Sequence, residues 1–309
     1  MLDFQPLSPE RKAELDPFYY AYGGNSCQHS FVSSFCMKGK YGDQVCVRDG
    51  FLYTLRALRG SDTERVYLFP LGDNRDRLGA ARAIENILAD AAAHGKQARF
   101  ETITEESAAL LEQLMPGHFH LEEKREYAEY LYSHDRLAML PGHDMASKRH
   151  DISTFERTYA GRYDVKVISS SEDTERIRPF QQKWLDEKMM REEDVQLELE
   201  NEAIRTGLDC FFSLGLSGIY VLLDGEIAGY AYGAKLSDQC YDVMIEKGDH
   251  RYQDIYKILN RDLVRLCCDH FSWINREEDL GVEGLRKAKM SYKPDRLIRK
   301  YIAREADKA

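Results

Sequence analysis

Paired cysteines are missing from this chain. Its seven cysteines, at positions 27, 36, 46, 210, 240, 267 and 268, form no Cys-x-x-Cys pair and no zinc-ligand spacing. That excludes a short-range zinc module and a small disulfide framework, and it fits reduced thiols. The histidines are dispersed too: His118 and His120 are the close pair, which reads as a loop accident rather than a metal site. No metal is expected. Long apolar runs are also lacking. The longest uncharged apolar-rich one, 210–223, contains Ser, Gly and Tyr and falls short of the roughly 20 residues a spanning helix needs. The opening Met1-Leu2-Asp3-Phe4 carries no basic region and no apolar signal core. The expectation is a cytoplasmic protein with no integral membrane segment. Positive charge is in deficit as well, at 43 Lys and Arg against 53 Asp and Glu, net −10. A protein that coats nucleic acid through bulk charge is excluded and no DNA partner is expected, although a local basic groove remains compatible.

What is present reads as a soluble globular chain. The 309 residues, 43% hydrophobic and 31% charged, are enough for two cores of ordinary size. Early helical segments broken at Gly23-Gly24 lead to an apparent strand at 44–48, an Asp49-Gly50 turn, a strand at 51–58, and a third at 65–70. Asp-Gly between apolar runs is a strong hairpin signal, because both residues tolerate the positive φ of a type I′ turn. A helix at 78–95, a strand at 97–102, a helix at 104–114 and a strand at 124–132 follow from apolar spacing.

The second half runs the same way. Strands at 219–223 and 226–234 flank Asp224-Gly225, a third strand covers 240–246, and a helix spans 252–269. A strand at 271–274, a helix at 285–290 and a strand at 297–302 complete it. Helices are predicted at 151–159, 173–190 and 197–214, with an exposed charged run at 189–194. The two Asp-Gly turns lie 175 residues apart. The match is in pattern rather than in residues, and it predicts two copies of one α/β fold. The boundary is expected near 138–146, giving domains 1–140 and 141–309.

Helices, a three-stranded meander, then α-β-α-β is the element order of the GNAT acyltransferase fold. The expected class is therefore α/β with a mixed sheet, as a tandem GNAT-like pair. Acyl-CoA users of this fold hold the pyrophosphate on a Gly-rich loop after the meander. Here that loop reads Lys247-Gly248-Asp249-His250-Arg251-Tyr252-Gln253-Asp254 in the second half and Leu71-Gly72-Asp73-Asn74-Arg75-Asp76 in the first. Neither has the Arg/Gln-x-x-Gly-x-Gly spacing, and the acids would repel a pyrophosphate. Acyl-CoA is disfavoured, and no cofactor is expected unless an acyl-CoA reading holds.

Tyr127-Ala128-Glu129-Tyr130-Leu131-Tyr132-Ser133, then Leu137, Leu140, Gly142 and Lys148-Arg149-His150-Asp151-Ile152, resembles an uncharacterised bacterial family. That family is grouped with the C-terminal domain of phosphatidylglycerol lysyltransferase. Glu246-Lys247 and the stretch Asn275-Arg276-Glu277-Glu278-Asp279-Leu280-Gly281, continuing to Lys293-Pro294, resemble its C-terminal motifs. The resemblance covers roughly 40–303. It implies a tandem GNAT fold related to the Fem aminoacyltransferases, an aminoacyl-tRNA donor, and an acceptor that is an amine or hydroxyl on a lipid head group, peptide or small molecule. The chain departs from the membrane-bound synthases in lacking a transmembrane half, and from soluble relatives in having Asp254 where glycine is usual.

Aminoacyl transfer needs a base for the acceptor, donors for the developing oxyanion, and an acid for the leaving oxygen. Glu246 is the candidate base, Arg286 or Lys289 the oxyanion donor, and Tyr292 the acid. Lys148, Arg149, Asn275, Arg276, Asp279 and Lys293 are candidate substrate-binding residues. Residues 285–304 hold eight cations against Asp295 alone, which reads either as a groove for phosphate groups or as a solvated face with helix-end electrostatics. Glu246 can equally be a surface partner of a neighbouring cation. Three functions stay open: an aminoacyltransferase, an acyl-CoA-dependent N-acyltransferase, and a non-catalytic binder of a phosphorylated or lipid ligand.

Overall fold

Both Asp-Gly turns form as the sequence requires. Asp49 and Gly50 have φ of 50° and 76°, and Asp224 and Gly225 have φ of 53° and 86°, so each hairpin closes on two left-handed residues. The computed structural model describes residues 1–190 and 195–306. Most of the charged run expected to be exposed at 189–194 lies outside the described residues.

In chain order the first elements are β1 (Gln5–Pro6), α1 (Lys12–Tyr22), α2 (Phe31–Cys36), α3 (Lys38–Tyr41), β2 (Asp43–Arg48), β3 (Phe51–Arg56) and β4 (Glu64–Tyr67). Next come α4 (Arg77–Ala93), β5 (Gln97–Thr104), α5 (Glu105–Leu114) and β6 (Phe119–Glu123). The chain continues with β7 (Glu129–Ser133), α6 (His134–Met139), α7 (Ala146–Thr158), β8 (Tyr163–Val167), α8 (Ser171–Met189) and α9 (Val195–Asp209). Then follow β9 (Ser217–Leu223), β10 (Glu226–Ser237), β11 (Cys240–Gly248), α10 (Ile255–Cys267), β12 (Trp273–Asn275), α11 (Glu283–Met290), β13 (Arg296–Ile298) and β14 (Lys300–Glu305). Helix starts follow local chemistry. The Asp76 and Thr104 side chains accept from backbone N–H groups three residues on, and Ser170 with Asp173 makes a reciprocal capping box.

Two seven-stranded mixed sheets result, ordered β1-β2-β3-β4-β5-β14-β6 and β13-β7-β12-β11-β10-β9-β8. This is the tandem GNAT-like arrangement that the element order predicts. The compact units are not consecutive stretches, however. One comprises 1–129, 278–286 and 297–309, and the other 130–277 and 287–296. The cut expected at 140/141 falls inside the second unit. The segment read as one strand at 124–132 divides into a short turn and β7, and β7 joins the second sheet while β14 joins the first. Each sheet is thus completed by a strand from the other half of the sequence. Alternating Tyr130 and Tyr132 reports burial, not which sheet receives it.

The first core packs one sheet face, including Tyr53, Tyr67 and Phe100, against Ile84 and Ile87 of α4 and Leu111 of α5. The second packs Val221, Ala231 and Val243 against Ile258, Leu259 and Leu263 of α10. Leu78 and Leu266, counted on helix faces by spacing, are exposed. At Gly233 of β10 the register with β11 shifts, and a Cβ there would lie 1.7 Å from the Asp242 carbonyl oxygen. Backbone cannot yield that distance cheaply, so Gly233→Ala is expected to destabilise by about 3 kcal/mol, read as a lower urea midpoint.

His29 is buried in the first unit. Burial, and next the charge of Lys300, push its imidazole down to about 3. A folded-state value below the ordinary 6.5 means that protons bind the unfolded chain preferentially. Stability should therefore fall as pH drops below about 6.5, by about 2 kcal/mol at pH 5 from this group. Urea midpoints of wild type and His29→Gln at pH 7 and pH 5 check this. The variant should show the smaller pH dependence.

Candidate active site

In the second unit β11 and β12 run parallel only over Cys240–Asp242 and Trp273–Asn275. Beyond Asp242, β11 continues on β10 alone, with Glu246 opposite Ala231, while the segment after Asn275 stays on β7, the Arg276 amide donating to the Tyr130 carbonyl oxygen at 3.0 Å. The two strands therefore part. Glu246 and Arg276 meet across the opening: Arg276 Nη2 donates to Glu246 Oε2 at 2.7 Å, with side chains 12% and 14% exposed. The other carboxylate oxygen, Glu246 Oε1, is buried and has no hydrogen-bond partner.

Arg276 is held from several sides. The Asn260 amide oxygen, oriented by its hydrogen-bonding neighbours, accepts from Arg276 Nε at 3.0 Å and Nη1 at 3.3 Å. The Tyr292 ring lies 5.2 Å from the guanidinium carbon. Burial opposes the charge, but Glu246 and the phenols of Tyr132 and Tyr292 outweigh it and keep the guanidinium protonated. Glu277, next in sequence, has φ of 54°, and its amide donates to Asn275 Oδ1 at 2.7 Å. Asn275 thus shapes the turn that aims Arg276.

α11 and the residues after it close the cluster. Lys289 is buried, its Nζ donates to the Arg276 carbonyl oxygen, and its own carbonyl accepts from Tyr132 Oη at 2.8 Å. Burial lifts the Tyr292 phenol to about 12, so it is neutral at pH 7. Lys148 Nζ lies 4.3 Å from the Tyr292 ring and donates to Ser291 Oγ at 2.8 Å. Burial, then Lys257 and Arg276, lower its ammonium below the ordinary lysine value despite Asp151.

Six of the sequence-derived candidates therefore come together: Glu246, Arg276, Tyr292, Lys289, Lys148 and Asn275. Four do not. Arg286 is bound bidentately to buried Asp279, both contacts at 2.9 Å, with Arg125 also on Asp279 at 3.1 Å, and all three belong to the first unit. Arg149 donates to the carbonyl oxygens of Leu140 and Gly142, bracing a turn with two left-handed residues. Lys293 is exposed, with φ of 55° just past the helix. Sequence reasoning missed Asn260, Tyr132 and Lys257. Asn260, 1% exposed on α10, is marked by its depth in the fold and by nothing in its sequence neighbourhood.

At the start of α10, Asp254 has φ of 68° and its side chain makes no cap. Its carboxylate and that of Asp151 both bind Lys257 Nζ, the latter at 2.9 Å. A pyrophosphate at this helix end would meet two carboxylates that share one lysine, so the residues present do not fit coenzyme A. Among the described residues no group of three metal-ligating side chains occurs, and no helix is long and apolar enough to cross a membrane.

The fold is shared with solved structures. A conserved Bacteroides thetaiotaomicron protein of unknown function superimposes with a TM-score of 0.91 at 26% identity, over 99% of this chain and 100% of that one. L-PGS from Bacillus licheniformis gives 0.65 at 17% identity, over 99% and 94%. A tandem GNAT protein from the clavulanic acid biosynthesis pathway gives 0.51 at 12%, over the full length of both. An uncharacterised Mycoplasmoides gallisepticum protein is 24% identical over 179 residues, 57% of this chain, and the match spans about half (55%) of that relative's length. Residues 22–304 match the family described as phosphatidylglycerol lysyltransferase, C-terminal. With nearly the whole length covered and the tandem fold present, the chain belongs to that family.

Proposed function

We propose that the second unit catalyses aminoacyl transfer from aminoacyl-tRNA to an amine or hydroxyl acceptor in the cytoplasm. One observation carries this reading: Glu246 is held by Arg276 through Oε2 while Oε1, buried where β11 and β12 part, stays without a hydrogen bond. A carboxylate fixed on one oxygen and open on the other is arranged to accept a proton. In the reaction Glu246 Oε1 takes the proton of the attacking amine or hydroxyl, whose lone pair bonds to the ester carbonyl carbon. The carbonyl oxygen becomes an oxyanion, steadied by the Lys148 ammonium. Collapse breaks the ester bond, and the leaving 3′-oxygen takes the Tyr292 phenol proton. The proton on Glu246 returns the phenolate to phenol through solvent. Arg276 is already fully engaged and acts by positioning Glu246. Lys289 acts by holding the Arg276 carbonyl.

The test is transfer of radiolabelled amino acid from charged tRNA into lipid, peptide and small-molecule fractions of a cell extract. Label in one fraction, dependent on the protein, is the expected result. Absence of label from every fraction, together with thermal stabilisation by acetyl-CoA, would overturn the reading in favour of acyl-CoA.

A further inference from the structure

Two turns share a geometry that the chemistry above does not use. Gly72-Asp73-Asn74-Arg75 precedes α4 in the first unit, and Gly248-Asp249-His250-Arg251 precedes α10 in the second. In the first, Asp73 Oδ1 accepts from the Arg75 amide at 3.1 Å and from Nε at 2.8 Å, and Oδ2 accepts from Nη2 at 2.8 Å. In the second, Asp249 Oδ1 accepts from the Arg251 amide at 2.9 Å and from Nε at 3.0 Å, and Oδ2 accepts from Nη2. The same network is built twice, in copies that otherwise share pattern rather than residues.

We infer that each turn presents a preorganised arginine to the phosphodiester backbone of RNA. A guanidinium has two bidentate edges. The aspartate takes the Nε/Nη2 edge, which leaves Nη1 and the outer Nη2 N–H as an end-on fork matching two phosphate oxygens. The arginine side chains are 89% and 66% exposed, so that fork faces solvent. An aspartate turn needs only the amide hydrogen bond, and an exposed ion pair adds little stability, so neither explains an arginine in both copies. Holding the side chain in advance removes the rotamer loss that a free surface arginine suffers on binding. The residues of both turns are polar or glycine, with no aliphatic side chain to enter a bilayer, which favours RNA over a lipid surface. Naming RNA rests on the aminoacyl-tRNA reading above.

The experiment is fluorescence anisotropy of labelled uncharged bulk tRNA over a salt series, with anionic phosphatidylglycerol vesicles as a parallel arm. Arg75→Gln and Arg251→Gln should each weaken tRNA binding about 3–10-fold at ~0.1 M salt and reduce the log–log salt slope by about 1, the double variant by about 2. Asp73→Asn and Asp249→Asn should also weaken binding, although each removes a negative charge. Circular dichroism melts should stay unchanged. A double variant with wild-type affinity and slope overturns the inference. So do aspartate variants that bind tighter, or losses confined to vesicles. The transfer assay separates the two claims. Arginine-dependent tRNA binding without label transfer leaves this inference standing and sinks the reaction. Label transfer with an unchanged slope in the double variant does the reverse.

Discussion

Glu246→Gln is expected to slow label transfer by about 10²–10⁴-fold with an unchanged melting curve. The side chains are isosteric, so the amide oxygen can still accept from Arg276 at the position now held by Oε2. The atom that differs is the one without a partner: Oε1 becomes an NH₂ that cannot take a proton. Single-turnover rates with charged tRNA in excess protein separate this from binding, because the acceptor and donor contacts are unaltered and KM should move little. A rate within threefold of wild type would remove Glu246 as the base. Asn260→Leu offers a related comparison, since it strips two acceptor contacts from Arg276 without touching Glu246, and its loss should be smaller.

Lys300→Met is expected to destabilise the chain by about 3–5 kcal/mol. Lys300 and Glu129 form an ion pair in which both side chains are fully buried. Glu129 also accepts from Ser26 Oγ and from the Cys27 amide, both at 3.0 Å, which holds its charge in place when the lysine is removed. A buried carboxylate without its cation is the costly state, not the absence of the pair. Lys300→Met with Glu129→Leu should therefore recover much of the loss, and a urea double-mutant cycle reads the difference. A double variant no more stable than Lys300→Met alone would show that the cost lies in packing rather than in charge.

The β-meanders were legible because Asp49-Gly50 and Asp224-Gly225 force two left-handed residues, a local constraint that no tertiary contact overrides. The destination of β7 and β14 was not, since apolar alternation records how deeply a strand is buried and says nothing of its neighbours. Glu246, Arg276 and Tyr292 could be picked out because they sit beside breaks in pattern. Asn260 was hidden inside a regular helical stretch, where one amide reads as a solvent-facing side chain until its depth is known. Arg286, a candidate oxyanion donor by its place in a basic run, is bound bidentately by a buried aspartate seven residues earlier. The Gly-Asp-x-Arg turns are visible as residues, but their hydrogen-bond networks are not, since Asp and Arg two apart need not pair.

The exchange of β7 and β14 has a consequence for synthesis. The first sheet includes β5 and β6 with β14 between them, so it stays open until residues 300–305 have been translated. N-terminal domains commonly fold as they emerge; here the early-made half must wait with an unpaired strand edge for the last one. Separate expression of either half of the sequence should give material that pairs edge to edge, and an insertion between the halves should delay maturation of both.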